Sequence, residues 1–443
     1  MILLTGLLIA GLSQAQQPAS VECRTGKGIG REIHLFRVDD GKKVSIAQAE
    51  YGKNGYYGFR FIPEYEGFYV VGNTAVYQFP VYLKPGDAVS LYMDQDTVYL
   101  TGRKNTPENT VLYRWHALAA NIEAKAIRFS QTKSTYKDFF PDFEAFLPAA
   151  DRFKSGIKTK NSRFNELMKR SIDFEKDYYA LNFLYTPRSE LPSKEQRIPW
   201  YSGIIDSDKF QDEVILQMPF GMDLIRLYTM FGTLEQNKQG KTEEVLPLIA
   251  NRKIKGELVV NGADRLKSYP EYQEYAGKYE QFLDASQKAR LDAVGSRLYQ
   301  TRKGLPAADF TYPDAAGKQI SLSDFKGKVV IVDVWATWCG PCRKELPYLK
   351  NLEKELKDEE VVFIGVSLDE DKNLEKWKKF IVDEQLPGVQ LFAGGWSKIA
   401  KDYKITGIPR FMVFDKQGCI VEVNAPRPSD PALKKLLKQE LEK

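Results

Sequence analysis

The sequence predicts a multidomain chain: a C-terminal α/β domain with a mixed central sheet, preceded by a small β-sandwich-like domain and a helical region. Three observations predict it. The 443 residues are too many for one compact core, and 43% of them are hydrophobic, enough to fill several. Short β-rich runs between turn clusters fill residues 21–103, and helical spacing takes over from 104 to 302. From residue 303 strands and helices alternate, as in a sheet covered by helices.

At the N-terminus an apolar run, Ile2 to Leu12, leads into Ser13-Gln14-Ala15, with small residues where signal peptidase cuts. Residues 1–15 are therefore expected to be a signal peptide, although the usual basic start is missing, since no Lys or Arg precedes Arg24. The run is too short to span a bilayer. Cys23 lacks the small-residue pattern of a lipoprotein site, so the expected product is soluble and exported, periplasmic or in the cell envelope.

In the β region Ile33, Leu35 and Arg37 alternate with His34 and Phe36, and Tyr57 to Phe61 alternates too. Phe68–Val71, Ala88–Met93 and Val98–Leu100 are further short runs, divided by turns such as Asp39-Asp40-Gly41 and Pro85-Gly86-Asp87. Residues 109–127, 161–185, 222–231, 245–254 and 270–298 carry helical spacing. Leu112, Trp115, Leu118 and Ala119 fall on one face of the first. The proline-rich stretch 186–200 reads as a loop.

Composition excludes several functions. The net charge is +5 and no basic stripe appears, so no nucleic-acid partner is expected. The two histidines, His34 and His116, lie far upstream of the paired cysteines, which disfavours Ser-His-Asp and Cys-His catalysis. Both are read as structural or surface residues. The four cysteines are Cys23, Cys339, Cys342 and Cys419. One close pair and two distant single residues are a poor source of the roughly four ligands of a zinc site. No metal and no cofactor is expected.

The chemistry lies in the C-terminal domain. Val329 to Val332 is a continuous apolar run, as in a strand buried on both faces, and Asp333 interrupts it. Cys339-Gly340-Pro341-Cys342 then opens a helix, which Pro347 is expected to bend. A cysteine at a helix N-terminus meets unsatisfied N–H groups and the positive end of the macrodipole, which favour the nucleophilic thiolate. Cys342 is about one turn later on the same face, and a loop this short is a poor structural staple. A carboxylate among apolar residues has its pKa raised, so Asp333 can accept a proton from the second thiol; the plain alternative is an exposed Asp at a strand end. Ile408-Pro409 precedes an apolar strand. It is either a cis bend that frees the Ile408 backbone for an extended substrate, or an ordinary trans loop proline.

Trp335 to Cys342, Asp333, Pro347 and Gly407-Ile408-Pro409 resemble the thioredoxin superfamily. Ala308-Asp309-Phe310, the segment Ile320–Lys328 and the extra segment after Asp369 resemble its exported TlpA/ResA-like branch. Residues 21–103 look, more weakly, like a β domain of unknown function found ahead of such modules. The resemblance implies a thioredoxin-like fold over 303–443 and thiol:disulfide oxidoreductase activity. Cys339 would be the attacking cysteine, Cys342 the resolving one, and Asp333 the acid serving it. Trp338, Gly340, Pro341, Ile408 and Pro409 would contact substrate. It also implies disulfide-containing exported proteins as partners, a membrane thiol-transfer protein as reductant, and cytochrome c maturation as one of the open settings. The Gly-Pro dipeptide tilts the reading toward reduction. Competing readings are a disulfide oxidase or isomerase using the same cysteines, and a binding protein whose upstream domains do the main work. A thiol peroxidase needs Thr where Ala336 stands.

Overall fold

The structure, a computed structural model, describes residues 17–443 except 31, 51–54, 74–76, 96 and 207. The expected signal peptide lies outside the described residues. The chain divides into two compact units, Met1–Leu258 and Val259–Lys443.

The first unit begins with eight strands: β1 (Ala19–Thr25), β2 (Glu32–Asp39), β3 (Lys42–Glu50), β4 (Tyr56–Phe61), β5 (Gly67–Gly72), β6 (Gln78–Leu83), β7 (Ala88–Met93) and β8 (Val98–Leu100). They form two four-stranded sheets, ordered β4-β1-β7-β8 and β3-β2-β5-β6. One core joins inward residues of both, among them Val21, Cys23 and Leu91 from one sheet and Leu35, Tyr69 and Val71 from the other. This is a sandwich. The second sheet is covered on its outer face as well. His34 and Phe36, which alternation assigns to the opposite side from Leu35, are buried with it, and every residue of β5 is buried.

Helices α1 (Pro107–Ile127), α2 (Phe129–Thr132), α3 (Tyr136–Ser155), α4 (Ser162–Tyr185), α5 (Gly221–Glu235), α6 (Thr242–Val245) and α7 (Arg252–Ala263) follow, the last containing the division between the units. The outer-face residues Val38, Phe68 and Tyr82 share one core with helical residues such as Leu112, Trp115 and Phe164. Thr106 caps α1 by accepting from the Asn109 N–H, and Pro107 occupies the first turn, where no N–H is needed. Asn109 then acts as a substitute strand. Its Oδ1 accepts from Tyr82 N at 2.9 Å and its Nδ2 donates to Tyr82 O at 2.7 Å. That satisfies the open edge of β6. Leu112, Trp115 and Ala119 are buried as the spacing predicts, but Leu118 is 37% exposed. Helix α3 falls within the expected helical region 104–302 but not among the segments whose spacing marks a helix, because Pro141 and Pro148 lie inside it. Both are tolerated on a helix whose burial of Phe139, Phe143 and Phe146 outweighs the lost bonds.

The second unit opens with α8 (Tyr269–Tyr279) and α9 (Ala285–Gln300) and the hairpin β9 (Thr311–Pro313) and β10 (Gln319–Ser321). A five-stranded sheet follows: β11 (Val329–Trp335), β12 (Val361–Ser367), β13 (Val389–Phe392), β14 (Arg410–Phe414) and β15 (Ile420–Glu422). The order is β13-β12-β11-β14-β15. β12 runs parallel to β11 and to β13, while β14 is antiparallel to β11 and β15. The sheet is mixed, as expected. Helices α10 (Gly340–Glu355), α11 (Leu374–Asp383), α12 (Lys398–Asp402) and α13 (Pro431–Leu441) flank it.

Central strand β11 is buried along its whole length. Val330, Val332 and Val334 enter one core with Phe310, Ile399 and Tyr403; Val329 and Ile331 enter the other with Leu352, Leu433 and Leu437. The two-residue period places Asp333 on the second face, the side of α10. Helix α10 continues through Pro347 to Glu355.

Candidate redox site

β11 ends at Trp335, and a short loop carries the chain to Cys339, the N-cap of α10. The Cys339 Sγ accepts from the Cys342 N–H at 3.1 Å, so the sulfur sits where a helix start offers an unsatisfied donor. Cys339 and Cys342 form a disulfide with a Cα–Cα distance of 5.3 Å, so the structure is that of the oxidised form. Both residues are buried, and Trp338 beside them is 56% exposed. Gly340 and Pro341, in the first turn, are exposed. The Ile408–Pro409 peptide bond is cis. Ile408 packs against the cluster that contains both cysteines, Trp335 and Trp377. The structure thus brings every expected site residue to one end of the sheet.

The loop ahead of Cys339 is clamped by a residue that sequence reasoning did not single out. Asp369, fully buried beyond the end of β12, accepts from Thr337 N at 2.9 Å, Thr337 Oγ1 at 2.7 Å and Ser367 Oγ at 2.7 Å. Three donors on one buried carboxylate hold the loop against the strand end.

Asp333 is 5% exposed, and its Oδ1 has no hydrogen-bond partner. Burial, with a smaller contribution from the charge of Glu345, pushes its carboxyl up to about 8. Glu345 is the second residue missed. It is buried on α10, three positions after Cys342, and accepts from Ser429 N at 3.0 Å and Ser429 Oγ at 3.1 Å. An acid near neutrality on β11, the strand that leads into Cys339, can exchange a proton at physiological pH.

Cys23 and Cys419 are free, and burial pushes the Cys23 thiol up to about 12, which keeps it protonated and unreactive. Among the described residues no group of His, Cys, Asp or Glu is placed to hold a metal ion, and no helix is long and apolar enough to cross a membrane.

Residues 302–437 match the Redoxin family. The thiol-disulfide oxidoreductase ResA of Bacillus thuringiensis subsp. konkukian is 37% identical over 140 residues, covering 29% of this chain and 78% of that protein. The thioredoxin-like protein YneN of Bacillus subtilis is 31% identical over 139 residues, covering 30% of this chain and 81% of its own. The crystal structure of the thioredoxin domain of a thiol-disulfide oxidoreductase from Bacteroides vulgatus aligns at 31% identity over 31% of this chain and 97% of that one, with a TM-score of 0.28. A disulfide at a helix start, a buried acid on the strand leading into it and the identities to ResA and YneN agree: the chain belongs to the ResA/TlpA-like thiol-disulfide oxidoreductases of the thioredoxin superfamily.

Proposed function

We propose that this enzyme is exported and reduces disulfides of exported proteins by dithiol exchange at Cys339 and Cys342. The observation that carries the reading is the Cys339 sulfur at the N-cap of α10, receiving the Cys342 N–H. In the reduced enzyme the Cys339 thiolate attacks a substrate disulfide. A mixed disulfide forms and one substrate thiolate leaves. Asp333, after releasing its own proton, accepts the proton of Cys342, and the resulting thiolate attacks the Cys339 sulfur. The second substrate thiolate leaves and takes up a proton, and the enzyme is left oxidised, two electrons having passed to the substrate. Trp338, Gly340, Pro341, Ile408 and Pro409 border the pair and seat the substrate. A membrane thiol-transfer protein restores the dithiol. Cytochrome c maturation is one setting in which such reduced thiols are consumed.

Cys342→Ser removes the resolving thiol, so a mixed disulfide with client proteins accumulates and is released by dithiothreitol. Absence of any adduct refutes the order of attack. The direction is tested by the reduction potential. A value near about −270 mV supports reduction, and one between about −180 and −120 mV replaces it with oxidation or isomerisation.

A further inference from the structure

The first unit contains a cavity of about 510 Å³ between the outer face of the β3-β2-β5-β6 sheet and helices α1 and α4. Protein interiors are close-packed, with few voids larger than a water molecule. This volume instead matches the 300–1,000 Å³ typical of small-molecule sites.

Its wall is divided by chemistry. Phe68 and Val70 of β5 and Tyr178 of α4 present apolar surface. Across from the two β5 residues, and one turn before Tyr178 on α4, stands Glu175, whose carboxylate accepts from Trp115 Nε1 at 2.8 Å, Tyr179 Oη at 2.7 Å and Ser171 Oγ at 2.9 Å. All three donors are neutral. Among the described residues no Lys, Arg or His lies within ion-pair distance of Glu175. The second carboxylate of the cavity, Glu123, is already served by Arg128 at 3.0 Å. The cations on the wall do not answer Glu175 either. Arg128 is held by Glu123, and Lys43, an exposed residue of the lining, donates to Gln78. Burial, with a smaller contribution from Glu123, holds the Glu175 carboxyl above its ordinary range, a cost that a cation beside it would remove.

An unpaired carboxylate with hydrogen-bonded geometry, aromatic rings beside it and an apolar wall opposite are complementary to a positive charge carried on hydrocarbon. We propose that this cavity binds a small organic ammonium ion, with its nitrogen on Glu175 and its hydrocarbon body against Phe68, Val70 and Tyr178. The site is separate from the thiol chemistry and gives the upstream region a ligand of its own.

The test is calorimetric titration of the full chain with phenethylamine, and with hexanoate as the oppositely charged probe. We expect saturable phenethylamine binding with a Kd of about 1 mM or tighter, and none of hexanoate. Glu175→Gln keeps the shape and removes the charge, and should weaken binding at least about tenfold. Val70→Phe keeps every polar group and fills the cavity from the sheet side, so it should abolish binding even if the Glu175 variant fails to fold. Absence of saturation by phenethylamine overturns the proposal. So does hexanoate binding of equal strength, or an affinity unchanged in folded Glu175→Gln or in Val70→Phe.

Discussion

Replacing Asp333 by Asn tests whether the buried acid holds a proton at neutral pH. Its carboxyl is raised from the ordinary 3.8 to about 8 in the folded protein, by burial and then by Glu345. Between those two values the folded chain keeps the proton and the unfolded chain has released it. Unfolding then gives up one proton, and the stability of the native protein falls as pH rises, by about 1.4 kcal/mol per pH unit. The protonated state's stability is fully present below pH 3.8 and lost by about pH 8, a total of roughly 6 kcal/mol. Asn does not titrate. The stability of Asp333→Asn relative to native should therefore climb with pH across this window and level off above it. Any constant cost of burying the amide shifts the whole curve without changing its slope. The assay is guanidinium denaturation of the oxidised proteins at a series of pH values, read at the transition of the C-terminal unit. A stability difference that stays flat from pH 5 to pH 8 would refute the argument, since Asp333 would then be ionised or solvated in the folded state.

Further expectations concern the supporting residues. Glu345→Gln removes the charge that raises Asp333, so the upper end of that pH window should move below about 8, measurable by the same denaturation series. Asp369→Ala leaves Thr337 N, Thr337 Oγ1 and Ser367 Oγ unpaired. It should cost about 2–4 kcal/mol and slow disulfide exchange with a model substrate, measured by stopped-flow fluorescence. In the first unit Trp115→Ala should destabilise by about 3–5 kcal/mol, whereas Leu118→Ala should stay within about 0.5 kcal/mol. Thermal denaturation of the two variants separates the buried face of α1 from the exposed one.

The redox pair was legible because its chemistry demands contiguous residues: two cysteines one turn apart, and an acid interrupting an apolar strand. The alternating elements after residue 303 were legible for the same local reason. What was lost depends on contacts made at long range. Glu345 follows Arg343 and Lys344 and reads as part of a solvated helix face. Its signal was the spacing of three from Cys342, which turns it toward the same side. Asp369 reads as a loop residue until the fold brings Thr337 to it. Helix α3 was obscured by its two internal prolines, whose cost is met by aromatic burial that no local window contains. His34 and Phe36 follow a two-sided pattern because helices cover the outer sheet face. The cavity is built from a sheet and two helices distant in sequence, so no motif announces it.

The loop ahead of Cys339 and the dipeptide behind it are constrained very differently. Asp369, just past the end of the neighbouring strand β12, clamps the loop, while a side chain at position 340 would meet no atom within 4 Å. Position 340 is therefore open to substitution on a rigid mount. A lineage, or an engineer, can exchange that one residue to retune the electron affinity of the pair while the scaffold stays in place.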